Sequence, residues 1–156
     1  MPGSFDPFTK GHVDIALRSL ELFSKLYVAV LDNPDKLPLF TVQERIDLIS
    51  ETLSGFEDQL KVESFSGLLV NYASTKSANV IVRGLRAVSD YEYEAQMALM
   101  NRHISGGLET VFLLTSEENS YISSSVVKQV ARFGGDVSSM VKEPVLKALQ
   151  AKYARS

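Results

Sequence analysis

Residues 2–12, Pro-Gly-Ser-Phe-Asp-Pro-Phe-Thr-Lys-Gly-His, put two glycines, two hydroxyls and a histidine into one short stretch. Gly3 permits a tight backbone turn, and Gly11 allows close approach just before a helix. A helix start offers free N–H donors and partial positive charge, a natural cradle for phosphate. His12 at that start is either an ordinary helix-opening residue or a donor that stabilises a phosphate oxygen in a transition state. Lys36 lies in a Pro-bracketed loop and is either a solvated side chain or a point charge for phosphate. Arg83-Gly84-Leu85-Arg86 holds two arginines around a small residue. They can clamp oxyanions bidentately, or simply pair with Asp90 or Glu92. Glu92 and Glu94 are two apart on a helix and point in different directions, so they make no catalytic dyad. The hydroxyl-rich run Asn119-Ser-Tyr-Ile-Ser-Ser-Ser125 is a capping sequence and also a phosphate-binding surface. Lys128 follows one turn into the next helix and adds charge there.

These groups need strands and helices that bring them together. His12 to Phe23 carries Val13, Ala16, Leu17, Leu20 and Phe23 at helical spacing. Leu26 to Leu31 is a short β-rich apolar run, suited to a strand buried on both faces. Thr41-Val-Gln-Glu44 predicts a capping box opening a helix to about Leu53, with Gly55 as its terminator. Strands are expected at Leu60–Phe65, Asn79–Val82 and Thr110–Leu114. Helices are expected at Leu68–Lys76, Ser89–Ile104, Ser123–Phe133 and Glu143–Tyr153. Alternating strands and helices imply an α/β fold with a doubly wound parallel sheet and a site at the carboxyl ends of its strands. The loop holding Lys36 opens at such an end, and the arginine loop is expected to follow the Asn79–Val82 strand. Phe65, Leu68 and Leu69 read mainly as core.

The chain has 156 residues, 45% hydrophobic and 22% charged, which fits one domain over 1–156. The formal charge of −3 gives no global basic field, so a nucleic-acid partner is not expected. Cysteine is absent, which excludes disulfides, thiolate metal sites and a Cys nucleophile. No apolar run spans a membrane and no leader precedes the first motif, so a cytoplasmic protein is expected. Neither G-x-x-x-x-G-K-[ST] nor G-x-G-x-x-G occurs, which disfavours a P-loop kinase and an NAD dehydrogenase. No zinc spacing and no G-x-S-x-G elbow is present.

The string G-S-F-D-P-F-T-x-G-H resembles the signature of the nucleotidyltransferase superfamily with T/H-x-G-H motifs. Asn33–Thr41, Arg83–Glu94, Asn101-Arg-His103 and Ile122–Lys128 extend the resemblance to bacterial phosphopantetheine adenylyltransferases over nearly the whole chain. That resemblance implies a Rossmann-like fold. It implies Mg-ATP and 4′-phosphopantetheine as substrates, with Mg²⁺ held more by the nucleotide than by a protein cage. It also implies dephospho-coenzyme A and pyrophosphate as products, a homohexamer, and coenzyme A as a feedback inhibitor. The family's ATP contacts fall on Ser4, Phe5, His12, Gly84, Leu85, Arg86, Glu94 and Asn119, Ser120, Tyr121, Ile122, Ser123, Ser124 and Ser125. Its phosphopantetheine contacts fall on Ser4, Lys36, Leu69 and Arg83. His12, Lys36 and Arg86 would carry the catalysis. Ser4 stands where many members have Thr, with the hydroxyl retained.

One departure matters. Family members carry an apolar first strand directly before P-G-[ST]-F-D-P, and here only Met1 stands there. Without that strand the middle of the sheet opens and two rows of ladder groups are exposed. Either further residues precede Met1, or another chain segment fills the gap, or the chain starts at Met1, in which case reduced stability and weak activity are the expected consequences.

Overall fold

The computed structural model describes residues 1–33, 37–86 and 88–154. Strand β1 is Pro2–Gly3, followed by α1 (Lys10–Leu22), β2 (Leu26–Leu31), α2 (Val42–Thr52), β3 (Leu60–Phe65) and α3 (Leu69–Thr75). Then come β4 (Val80–Leu85), α4 (Val88–Ser105), β5 (Glu109–Leu114), α5 (Ser124–Arg132) and α6 (Glu143–Tyr153). A 3₁₀ turn at Glu117–Asn119, which the sequence pattern did not signal, precedes α5.

The strands form two parallel sheets, β1-β2-β3 and β4-β5. In β1 only Pro2 and Gly3 pair, with Ala29 and Val30, whereas β2 pairs with β3 from Leu26 to Leu31. The described residues thus place a two-residue strand where the sequence reading had none, and the sheet still divides there. Asp32 N–H continues the β2–β3 ladder to the Phe65 carbonyl. Between the two sheets, Arg83 Nη1 donates to the Pro2 carbonyl at 2.7 Å. Helix α1 spans the seam: Arg18 Nη1 donates to the Leu114 carbonyl at 2.6 Å, and the Asp14 carboxylate accepts the Ser116 N–H at 3.1 Å.

The main core lies around β2, whose Val28 and Val30 are fully enclosed by α1, α2, α5 and α6 through Ala16, Ile49, Val127 and Leu149. A small second cluster of Val70, Ala73, Ile81 and Leu108 sits under α3 and β4. The capping box predicted at α2 is present: Thr41 Oγ1 accepts the Glu44 N–H, and Glu44 Oε2 accepts the Thr41 N–H at 2.7 Å. One boundary differs in a way that affects the site. Strand β4 runs three residues further than expected, because its pairing with β5 continues through Arg83, Gly84 and Leu85. The arginine segment is therefore strand up to Leu85 rather than a loop. Gly84 then has a packing reason: a Cβ there would lie 3.0 Å from Ile15 Cγ1 of α1.

Candidate active site

The carboxyl ends of β1 and β4 and the amino ends of α1 and α5 enclose a cleft of about 620 Å³. Its wall holds Ser4, Phe5, His12, Arg83, Gly84, Arg86, Glu94, Ile122, Ser123, Ser124 and Ser125, so most of the expected residues meet there. A second lobe of about 270 Å³ shares Ser4, Ser124 and Ser125 with it and reaches Arg45 and Lys128. Leu69 lines a different cavity, away from His12. Asn119, Ser120 and Tyr121 form the turn beside the cleft without lining it, and the Leu85 side chain is buried in β4. Lys36 lies outside the described residues.

His12 is held by helix capping. Thr9 is the N-cap of α1 and His12 is N3. The Thr9 N–H donates to His12 Nδ1 at 3.0 Å while Thr9 Oγ1 accepts the His12 N–H, so the imidazole takes the place of the usual Glu in a capping box. Because Nδ1 accepts, the ring proton sits on Nε2 and is available to the cleft. Burial, with Arg86 and then Arg83 nearby, holds the imidazole pKa down to about 4. The ring is therefore a neutral donor at neutral pH. It stacks on Phe8 at 5.4 Å and meets Phe5 edge-on at 5.1 Å. The T-x-x-H spacing carried this capping signal, which the sequence reading did not use. Gly11 lies inside the first turn of α1 rather than before it, and a Cβ there would make only ordinary contact with the Asn119 carbonyl at 3.7 Å.

Phe5 has a left-handed backbone, φ 50°, which costs about 1–2 kcal/mol for a residue with a side chain. Its ring is buried and lies against Gly3, where a Cβ would come within 2.7 Å. Gly3 is thus needed for this packing. The Phe5 side chain supports His12 edge-on. The Ser4 carbonyl is fixed by Arg45, a buried arginine that also donates to the carbonyls of Leu31 and Thr41. Asp6, also buried, accepts N–H bonds from Leu39 at 3.0 Å and Phe40 at 2.9 Å and an ion pair from Lys128 at 2.6 Å. Lys128 therefore spends its charge on Asp6. Neither Arg45 nor Asp6 stood out in the sequence, because their partners are more than twenty-five residues away or are backbone groups.

On the opposite wall, Arg83 makes a bidentate pair with Glu94, Nε to Oε2 at 2.7 Å and Nη2 to Oε1. Arg86 pairs with Asp90, Nε to Oδ2 at 3.2 Å. The alternative pairing expected for the arginines is thus present with Asp90, and with Glu94 in place of Glu92. Both carboxylates aim guanidinium groups into the cleft. Ser123 caps α5, accepting the Val126 N–H at 3.1 Å, and Ser124 Oγ donates to the Pro7 carbonyl at 2.8 Å. Among the described residues no group of three His, Cys, Asp or Glu side chains is placed to hold a metal ion. Among the described residues, the cleft therefore offers the His12 imidazole, the serine hydroxyls and two guanidinium groups, each paired with a carboxylate, from two walls.

A family model described as cytidylyltransferase-like matches residues 1–130. A phosphopantetheine adenylyltransferase of Alkaliphilus metalliredigens is 53% identical over 151 residues, covering 97% of this chain and 96% of the relative. The chain belongs to the phosphopantetheine adenylyltransferases of the cytidylyltransferase-like family. Another member, from Desulfosudis oleivorans, is 52% identical over 97% of this chain and 89% of its own length. The fold also matches a bifunctional NMN adenylyltransferase/ADP ribose pyrophosphatase of Francisella tularensis, solved with AMP and a manganese ion. That match has a TM-score of 0.72 at 14% identity, over 99% of this chain and 50% of the other. Phosphopantetheine adenylyltransferases are nucleotidyltransferases, and the α/β fold with parallel sheets agrees with the Rossmann-like expectation.

Proposed function

We propose that the chain, as one nucleotidyltransferase domain over residues 1–156, transfers the adenylyl group of Mg-ATP to 4′-phosphopantetheine, giving dephospho-coenzyme A and pyrophosphate. The observation that carries this reading is the convergence of a neutral Nε2–H donor, two guanidinium groups and the serine-rich start of α5 in one cleft without a base. The nucleophile needs none, because a phosphate monoester is ionised at neutral pH. Its oxygen attacks the α-phosphorus in line, the new P–O bond forms, the bond to the bridging oxygen breaks, and pyrophosphate leaves with the electron pair. No covalent enzyme intermediate forms. Such transfers are catalysed mainly by positioning and charge stabilisation.

His12 would donate to a non-bridging oxygen of the reacting phosphorus, with Arg86 and Lys36 neutralising charge as it moves to the leaving group. Ser4 stands between the two lobes and would touch both substrates. Arg83, held by Glu94, would position the phosphopantetheine phosphate, Leu69 would be reached only by a pantetheine arm extending past Pro2 and Val82 into the adjoining cavity, and Ser123–Ser125 would hold the nucleotide phosphates. Mg²⁺ would arrive with ATP as part of the substrate, held more by the nucleotide than by a protein cage. A homohexamer, feedback by coenzyme A and a cytoplasmic setting belong to the same reading. The exposed Tyr91, Leu99 and Ile104 of α4 support self-association, and no described helix is long and apolar enough to cross a membrane.

The test is pyrophosphate release from Mg-ATP with 4′-phosphopantetheine, run beside nicotinate mononucleotide and glycerol phosphate. Release with 4′-phosphopantetheine alone is expected. Release with another acceptor instead would replace the substrate, and no release with any acceptor would remove the enzymatic reading.

A further inference from the structure

Helix α1 carries two polar side chains of different use in its first two turns. His12 faces the cleft, whereas Asp14, two residues on, turns towards the end of β5. The Asp14 carboxylate accepts the N–H of Ser116, 102 positions away, at 3.1 Å. The same oxygen, Oδ2, accepts Arg18 Nη1 at 3.3 Å from one turn along the helix. Arg18 in turn donates to the Leu114 carbonyl at 2.6 Å, so the two side chains together hold the chain where it leaves β5. A hydrogen bond from an N–H to a carboxylate is roughly twice as strong as one between neutral groups.

The segment held in this way, Ser116 to Ile122, joins two parts of the cleft wall. Before it, Thr115 lines the cleft and donates through its N–H and its Oγ1 to the Leu85 carbonyl at the end of β4. At its end, Ile122 is buried and leads into Ser123, the cap of α5. Within it, Asn119 Nδ2 donates to Ser116 Oγ at 2.7 Å and the Asn119 N–H to the Ser116 carbonyl, while the Ile122 N–H donates to the Asn119 carbonyl. Ser116 is therefore the foot on which the turn stands. The Asn119 carbonyl also lies over Gly11, where a Cβ would stand 3.7 Å from it, so the turn rests on the start of α1. Among the described residues, the Asp14 carboxylate makes the one hydrogen bond that reaches residues 116–122 from outside them.

We propose that Asp14 is a positioning residue for the nucleotide. By fixing Ser116 to α1 it holds the 116–122 turn, and with it Ile122 and the serine-rich start of α5, beside His12. Asp14 itself touches no substrate, and the assignment rests on the adenylyl transfer proposed above. The test measures both KM values, Tm and hydrogen exchange on the full chain for wild type, Asp14→Ala, Asp14→Asn, Ser116→Pro and Ile81→Val. Asp14→Ala should raise KM for ATP about tenfold, leave KM for 4′-phosphopantetheine little changed, and speed exchange at the Asn119 and Ile122 amides. Asp14→Asn, whose amide oxygen still accepts the Ser116 N–H, should recover most of the ATP affinity. Ser116→Pro removes the same bond from the other side at a φ of −57° that suits proline, and should also raise KM for ATP. Ile81→Val, in the small cluster, should lower Tm without separating the two KM values. Equal changes in both KM values for Asp14→Ala and Ser116→Pro, or a fall in Tm with KM for ATP unchanged, would overturn the assignment and leave the reaction standing. No pyrophosphate release by the wild type would overturn the reaction, and this assignment with it.

Discussion

The half built on β2 and the half built on β4 and β5 use the same βαβ plan and bury it to different depths. Val28 and Val30 of β2 have 0% exposure, whereas Leu114 of β5 is 70% exposed and Leu99 of the covering α4 is 69% exposed. The candidate cleft runs along the seam between them. Its first wall, with Ser4, His12 and the start of α5, rests on the large core, so its donors are placed by packing and capping. Its second wall, with Arg83 and Arg86, is aimed by ion pairs to Glu94 and Asp90. A site made from one rigid and one electrostatically held wall should lose fold on the first side and substrate binding on the second.

The largest effect that sharpens this contrast is on the core. Phe40→Ala, at a side chain 1% exposed, should cost about 3–5 kcal/mol in denaturant unfolding. Ile81→Val in the smaller cluster should cost about 0.5–1.5 kcal/mol and speed hydrogen exchange chiefly in β4 and β5. Equal global losses for the two would break the comparison.

His12→Ala should lower kcat roughly 10²–10³-fold while circular dichroism shows the fold retained. A wild-type rate would remove His12 from the chemistry. Acid should act at the same place. The unfolded imidazole binds its proton near 6.5 and the folded one near 4, so the unfolded state takes up more protons between those values. Stability is therefore full above pH 6.5 on account of this group and falls as pH drops towards 4. A pH series of melts on wild type and His12→Ala checks this, because the variant should lose the part of the dependence that falls between pH 6.5 and 4.

Glu94→Gln should free Arg83 and raise KM for the acceptor about tenfold, with a smaller change in kcat. The same loss in kcat as His12→Ala would mean that the second wall also stabilises the transition state. The smallest expected effect is Thr41→Ala at the start of α2, about 1 kcal/mol of stability with the kinetics unchanged.

Much of the molecule was legible because its signals are local. The Thr41–Glu44 box, the apolar run Leu26–Leu31 and the α6 span Glu143–Tyr153 depend on neighbours within a few residues, and they stand where the spacing placed them. The residue types that face the cleft were also legible, from the string ending in His12, from Arg83-Gly-Leu-Arg86 and from the serine run. Other features depend on partners far along the chain. The pairing of β4 with β5 as far as Leu85 turned an expected loop into strand, and moved the role of Gly84 from loop size to contact with Ile15. Arg45 reaches Ser4, forty-one residues away, and Asp6 reaches Phe40, thirty-four away. No periodicity encodes such pairs.

By itself the sequence determined the elements, their alternation and the inventory of phosphate-binding groups, because propensity, capping and hydrophobic period act over one or two turns. Only the tertiary structure decided which arginine meets which carboxylate and which nitrogen of His12 carries the proton. Those outcomes depend on where chain segments distant in sequence are brought side by side, and on how much water is excluded when they meet.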